Sequence, residues 1–318
     1  VLGNIVKKLL TAIPVLLVVS IVLFVLLNAL PGDAADALAA ADASPEEIAA
    51  LREELGLNDP AVVRYFKWIS GVVKGDFGKS LISGKPVTDA IVQRFPVTLE
   101  LTLLAMIVAI LIALPMGIAS ATHRNSFVDY ICTVFAMIGQ AVPHFWLGML
   151  LVLFCSVYNS WLPASGYVPM DQNLADNLIR MIMPAFAIGF SFAASVMRQT
   201  RSAVLDVLDQ DYISTAKAKG LPGRIIVWKH ALKNALIPVV TVMGMQTGRL
   251  FGGAIVVETV FALPGLGTKI VESIFSRDYQ VTLGFVMTVA IIIILINTLV
   301  DILYVVIDPR ISHGKKGA

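Results

Sequence analysis

Charge is scarce in this chain. Asp, Glu, Lys and Arg make up 14% of its 318 residues, where ordinary soluble domains carry about 25%. Since 57% of the residues are hydrophobic, the shortage argues against a water-soluble globular enzyme and points to a membrane. Charge of one sign is also missing: 24 basic and 22 acidic residues leave a net +2, too balanced for a nucleic-acid surface or an acidic partner. Cysteine is confined to Cys132 and Cys155 in one apolar stretch, so both read as small buried hydrophobes, not as a disulfide framework. With four histidines and no paired His spacing, Cys-x-x-Cys or carboxylate cluster, no resident metal is expected.

Long apolar runs are what the chain has in abundance. A spanning helix needs about 20 mostly apolar residues, because the hydrocarbon core is about 30 Å thick and a helix rises about 1.5 Å per residue. Six stretches qualify: Leu9 to Leu30, Val97 to Ala121, Val128 to Tyr158, Leu178 to Val196, Leu236 to Val257 and Val281 to Ile307. Backbone polar groups in lipid must be satisfied within the segment, and runs this long without strict alternation favour helices over barrel strands. The first run is read as a retained helix. It is longer than a signal-peptide core, and Ala29-Leu30-Pro31-Gly32 makes a poor cleavage site.

Lysine and arginine set the expected orientation. With the N-terminus inside, thirteen basic residues fall in the cytoplasmic pieces: Lys7, Lys8, Arg124, seven from Arg198 to Lys233, and Arg310, Lys315 and Lys316. The short external connections hold only Arg180, Lys269 and Arg277, and the long one from Pro31 to Pro96 has seven basic against ten acidic residues. Both termini are therefore expected in the cytoplasm. In the external segment, Ser44 as N-cap, Pro45 at N1 and Gly56 at the C-cap frame a helix, and a second helix is expected from Pro60 to Val73. Tyr65, Phe66 and Trp68 in that second helix suit the membrane interface. The expected division is residues 1–30 for the N-terminus and first span, 31–96 for the external segment, and 97–318 for a five-helix core with a cytoplasmic loop at 198–235.

That loop has a definite shape. Asp211 to Lys219 suits a short helix, Gly220 to Gly223 break it, and Arg224 to Ala235 begin another that enters the membrane near Pro238. The stretch from Asp211 to Thr241 resembles the coupling loop of bacterial ABC importer permeases, in the branch that carries dipeptides, oligopeptides, glutathione or nickel. Other pieces resemble the same family in order along nearly the whole chain: Leu30-Pro31-Gly32-Asp33, Leu55-Gly56-Leu57, Gly75-Asp76-Phe77-Gly78-Lys79-Ser80, Thr98-Leu99-Glu100-Leu101, Glu258-Thr259-Val260-Phe261, Leu263-Pro264-Gly265-Leu266-Gly267, Arg277-Asp278-Tyr279 and Asp308-Pro309-Arg310. Where the broad permease signature has Glu-Ala-Ala, this chain has Ser214-Thr215-Ala216, and Pro238 follows Gly220 by 18 positions instead of 13. That departure is the habit of the peptide and nickel branch.

The resemblance implies an all-α membrane protein with six transmembrane helices in the manner of a type I ABC importer permease, in the bacterial inner membrane. It also implies a second permease subunit, two cytoplasmic ATPase subunits that bind ATP and Mg, and an external substrate-binding protein. The ATPase contact it implies comprises Asp211, Tyr212, Thr215, Ala216, Lys217, Ala218, Lys219, Gly220 and Leu221. The Pro264, Gly265 and Gly267 turn would help shape the outer gate, although turn structure alone explains those glycines equally well. No cofactor is expected in this chain. Gly78-Lys79-Ser80 ends like a phosphate-binding loop, but Val73 stands where the motif needs glycine, and no other match exists.

Two other classes stay open at this stage. An ion-driven secondary transporter would carry inverted repeats and intramembrane carboxylates, yet no clear repeat is visible, and Glu100, Asp129 and Asp301 fall near membrane ends. A rhomboid-type protease is suggested by Gly189-Phe190-Ser191-Phe192, but its motif ends in glycine where Phe192 stands, and such a serine needs a base in reach. Ser191 is expected to bond its own helix backbone instead. Gly244, Gly248 and Gly252 form a small-residue ridge suited to helix packing. Polar residues inside lipid usually face an interior or a water path. On that ground Gln140, His144, Gln246, Arg249, Asn297 and Asp301 are pathway candidates, with Gln246 and Arg249 foremost.

Overall fold

The computed structural model describes residues 2–39 and 43–307. Among these the chain is helical, without strands apart from an isolated antiparallel bridge between Lys79 and Pro86. Five helical stretches are long and apolar enough to cross a membrane, and a sixth arises if one sharply bent pair counts as a single span. The Asp308-Pro309-Arg310 motif and the basic residues after it lie outside the described residues. Contacts group the chain into two units, one of residues 99–263 with the segment from 295 and the other of residues 2–98 with 264–294.

In the unit that contains the N-terminal helix, α1 (Leu2–Ala29) buries only a narrow stripe. Ser20, Phe24 and Leu27 are buried at helical spacing, whereas Ile13, Leu17, Ile21, Val25 and Leu26 stay exposed, as a lipid-facing helix requires. Two short helices follow, α2 (Ala34–Leu38) capped by Asp33 and α3 (Pro45–Glu54) capped by Ser44. Leu55 occupies the C-cap of α3, so Gly56 falls one position later than expected. Arg52 joins the two helices by pairing with Asp33 at 2.8 Å and Asp36 at 2.9 Å. Helix α4 (Ala61–Val73) lays Tyr65 and Trp68 on the α1 stripe, with Tyr65 Oη and Ser20 Oγ 2.8 Å apart. Of the three aromatic residues expected at the interface, Trp68 is instead buried, Tyr65 is half-buried and Phe66 is exposed. An amphipathic helix turns one face inward, and Trp68 lies on that face.

Helix α5 (Val87–Thr122) begins ten residues before the expected apolar run at Val97. Asp89, Gln93 and Arg94 lower the hydropathy there without interrupting helical hydrogen bonding. In the other unit, the run expected as one third span is broken. Helix α6 (Phe127–Ala141) and α7 (His144–Leu151), continued by a π-helical turn to Tyr158, meet at 99°. Pro143 is the cause: it lacks an N–H and forces Val142 into extended backbone at φ −82° and ψ 120°. Helix α8 (Leu174–Leu208) is the central element, packed on α6, on α7 and on α11 (Leu232–Val260). Small residues let it approach closely, and at Gly189 an added Cβ would lie 2.6 Å from the Ala105 carbonyl oxygen. Ser191 donates to the Gly139 carbonyl of α6 at 2.8 Å, so its bond crosses between helices instead of returning to its own backbone.

Candidate coupling elbow and translocation path

The elbow follows α8 directly. Helix α9 (Asp211–Ala218) begins after Gln210 and ends in a Schellman turn. Gly220 N–H donates to Lys217 O at 2.9 Å and Leu221 N–H to Ala216 O at 3.3 Å, while Gly220 takes φ +76°. A short α10 (Gly223–Ile225) then runs through a π-helical stretch, Ile226–Ala231, into α11. Ile213 and Ala216 on α9 pack against Ile226 and Ala231, with Val207, Leu208 and Leu221 closing the cluster. The apolar spacing of three between Ile213 and Ala216 gives α9 one inward face. Its remaining side chains point outward: Asp211, Tyr212, Thr215, Lys217, Ala218 and Lys219 are all exposed. Tyr212 also reaches α11, where its hydroxyl accepts from Asn234 Nδ2 at 2.9 Å. The result is a short exposed helix fixed by its buried face to the end of α8 and to the π-helical stretch that leads into α11.

An ion pair braces the same α8. Arg201 Nε and Nη2 each lie 2.8 Å from an oxygen of Asp129, at the start of α6. Ser120 Oγ from α5 and the Asn125 N–H donate to that same carboxylate. Asp129 is buried, so four donors from two helices and a connecting turn compensate its desolvation. Sequence reasoning counted Arg201 only among the inside-positive charges. A second unread pairing lies in the connection before α8: Tyr167 donates to Glu100 Oε2 at 2.8 Å, and burial followed by this bond raises the phenol above its ordinary range. Gly166 N–H reaches Phe261 O at 2.9 Å, and Asn177 Nδ2 reaches Val168 O at 2.8 Å. The 165–168 segment is thereby sewn to α5, α8 and the end of α11.

The pathway candidates do not form one cluster. Gln246 is half-buried and donates to Ser195 Oγ of α8 at 2.8 Å. Arg249, Gln140 and Asn297 are exposed, and His144 opens α7, hydrogen-bonded to the Gly253 backbone. The Asp301 side chain lies outside the described residues. In the glycine ridge, Gly244 faces Val300, where an added Cβ would lie 2.3 Å from Cγ1; Gly248 is buried; Gly252 has nothing within 4 Å.

Of the Pro264, Gly265 and Gly267 turn, Pro264 is exposed while Gly265 and Gly267 are buried, and Gly265 caps helix α12 (Leu266–Phe275). Leu266 N–H donates to Thr98 Oγ1 at 2.8 Å. Beyond α12, the Arg277-Asp278-Tyr279 motif leads into α13 (Tyr279–Ile307) and gathers two distant motifs. Asp278 accepts from Ser80 Oγ and from Leu81 N–H, Tyr279 Oη donates to Gly32 O at 3.1 Å, and Gln280 Nε2 donates to Phe77 O at 3.0 Å. Ser80 therefore serves a structural bond in the segment that ended like a phosphate-binding loop.

Comparison with known proteins agrees with this architecture. Residues 113–313 match the family described as binding-protein-dependent transport system inner membrane component, and residues 1–102 match its N-terminal counterpart. The chain belongs to that family and is an inner-membrane permease of the ABC importer class. It is 40% identical to the oligopeptide transport system permease protein AppB of Bacillus subtilis (strain 168), covering 97% of this chain and 99% of that one. It is 43% identical to the glutathione transport system permease protein GsiC of Salmonella paratyphi A (strain ATCC 9150 / SARB42), covering 98% and 99%. The fold is similar to that of the MetNI methionine ABC transporter in its inward-facing conformations, with TM-score 0.57, 19% identity, and 69% and 96% coverage.

Proposed function

We propose that this permease provides half of the pathway of an ATP-driven importer for di- or oligopeptides or related small solutes such as glutathione. An external binding protein delivers the solute, a second and related permease completes the path, and two ATPase subunits hold the ATP and Mg. The chain crosses the membrane six times with both termini in the cytoplasm, the bent α6–α7 pair forming one span. The observation that carries the coupling assignment is the elbow. Its α9 has one face packed on α8 and on the π-helical stretch that leads into α11, and the other exposed, so a push on Thr215, Lys217 and Lys219 moves helix ends as rigid bodies. Closure of the ATPases on ATP draws the elbow inward and opens the path outside, and hydrolysis resets it. The substrate class rests on the names of the relatives at 40 and 43% identity.

The test is reconstitution of the complex with its ATPases and binding protein in proteoliposomes, with single cysteines at Lys217 and Lys219. Crosslinks from these positions to an ATPase, together with peptide uptake that follows internal ATP and ignores ion gradients, support the reading. Uptake that survives ATP depletion and collapses with an ion gradient overturns it.

A further inference from the structure

A cavity of about 570 Å³ opens where α1 ends, bounded by the α2–α3 region, α4 and the first turns of α13. Its walls are of two kinds. Phe24, Leu27, Trp68 and Leu283 belong to one buried apolar cluster. Arg52, Arg64 and Lys67 bring cationic groups to the same space. Arg52 is matched by Asp33 and Asp36, and Lys67 by Asp59 at 2.7 Å. Arg64 is different. It donates through Nη2 to the neutral amide oxygen of Asn28, and among the described residues it has no carboxylate partner. Two further donors on these walls lack an acceptor among the described residues: Arg64 Nε and the indole Nε1 of Trp68, both inaccessible to water. Trp68 itself is 7% exposed. Arg64 is thus the one cation named on these walls with no carboxylate partner among the described residues, and its half-buried guanidinium leaves the outer nitrogens free to take an anion.

The surroundings say which anion. The cavity lies at the edge of an apolar surface: Leu30, which lines it, is exposed, and the other faces of α1 and α4 carry exposed Val22, Val25, Leu26, Val62, Val63 and Phe66. A soluble anion would have no use for those apolar walls, whereas a lipid brings both a phosphate and a chain. We propose that this cavity is a phospholipid site in the leaflet at the C-terminal end of α1, with the phosphate at the outer guanidinium nitrogens of Arg64 and an acyl chain along Phe24, Leu27 and Leu283. The bound lipid fixes α4 to α1 and closes the gap that these two helices leave with the start of α13.

The test uses the assembled importer, delipidated by detergent exchange and then titrated with dioleoylphosphatidylglycerol or with inorganic phosphate, adducts being read by native mass spectrometry. Expected are a saturable phospholipid adduct on this subunit, about ten-fold weaker retention in Arg64→Gln, the scale of one lost charge-assisted contact, and no competition from inorganic phosphate at equal concentration. Leu57→Trp, which fills the cavity and leaves Arg64 in place, is expected to lower retention as well, and thermal melts of both variants establish that they are folded. In the wild type, a phospholipid brominated along its chain quenches more tryptophan fluorescence than in Trp68→Phe. Equal retention by wild type and both folded variants overturns the proposal. So does displacement of the lipid by inorganic phosphate, which would reduce the site to a headgroup pocket without a role for the chain.

Discussion

Gly220 offers a graded perturbation of the elbow. It sits at φ +76°, and a Cβ built there meets nothing within 4 Å. The cost of Gly220→Ala is therefore backbone strain alone, roughly 1 kcal/mol for a non-glycine residue in the left-handed region, which weakens the native turn about five-fold against its alternatives. Asn tolerates that region better, so Gly220→Asn is expected to lie between wild type and Ala. Proline cannot reach this φ at all, and it also removes the N–H that donates to Lys217 O at 2.9 Å. In Gly220→Pro the turn cannot form, and Ile213 and Ala216 lose their register on Ile226 and Ala231. The assay compares ATP-driven uptake and ATPase rate in proteoliposomes, with membrane insertion checked by immunoblot and melting. The expected order of uptake is wild type, Asn, Ala, then Pro at background with the protein still inserted. Normal uptake by Gly220→Pro would refute the assignment of this turn as the coupling joint. Equal loss in Asn and Pro would refute the backbone-strain argument, because Asn keeps both the N–H and access to the conformation.

Gly189→Ala puts a methyl group 2.6 Å from the Ala105 carbonyl oxygen, and because backbone cannot step aside cheaply, a loss of about 1–3 kcal/mol is expected as a lower melting temperature in detergent. Arg201→Ala leaves the buried Asp129 carboxylate without its cation and is expected to cost about 3–5 kcal/mol. The Asp129→Asn/Arg201→Gln double variant is expected to regain part of that stability, and no difference between single and double variants in chemical denaturation would refute the brace. Burial and the Glu100 bond hold the proton on Tyr167 in the folded state, so above the ordinary tyrosine pKa of about 10 the folded chain binds more protons than the unfolded one. Stability therefore falls as pH rises through that range. Ultraviolet titration is expected to place the Tyr167 phenol in the late part of the curve, and Tyr167→Phe is expected to lower the amplitude there by one phenol.

Much of the secondary structure was legible because its causes are local. Ser44, Pro45 and the Glu47 bond back to Ser44 start α3 wherever the helix is placed, and Gly220 with the apolar Ile213 and Ala216 writes the elbow in the sequence. The apolar runs announced the membrane because lipid accepts little else. Boundaries were less legible. Hydropathy marks where lipid begins, but hydrogen bonding decides where a helix ends, so α5 starts at Val87 and α8 continues to Leu208. The break at Val142–Pro143 went unread, since Val128 to Tyr158 counts as one apolar span by hydropathy, although Pro143 is its local cause.

What the tertiary structure alone decided is which distant residues meet. Nothing local says that Asp129 waits for an arginine 72 positions away, or that Asp278 takes the Ser80 hydroxyl across 198. Asp129, a membrane-end charge by hydropathy, is a buried anchor because α5, α6 and α8 surround it. The ridge Gly244, Gly248 and Gly252 shows the same limit. Its spacing predicted one packing face, yet Gly244 meets Val300 while Gly252 faces open space. A helix repeat fixes direction around an axis, and only the neighbouring helices fix what lies in that direction.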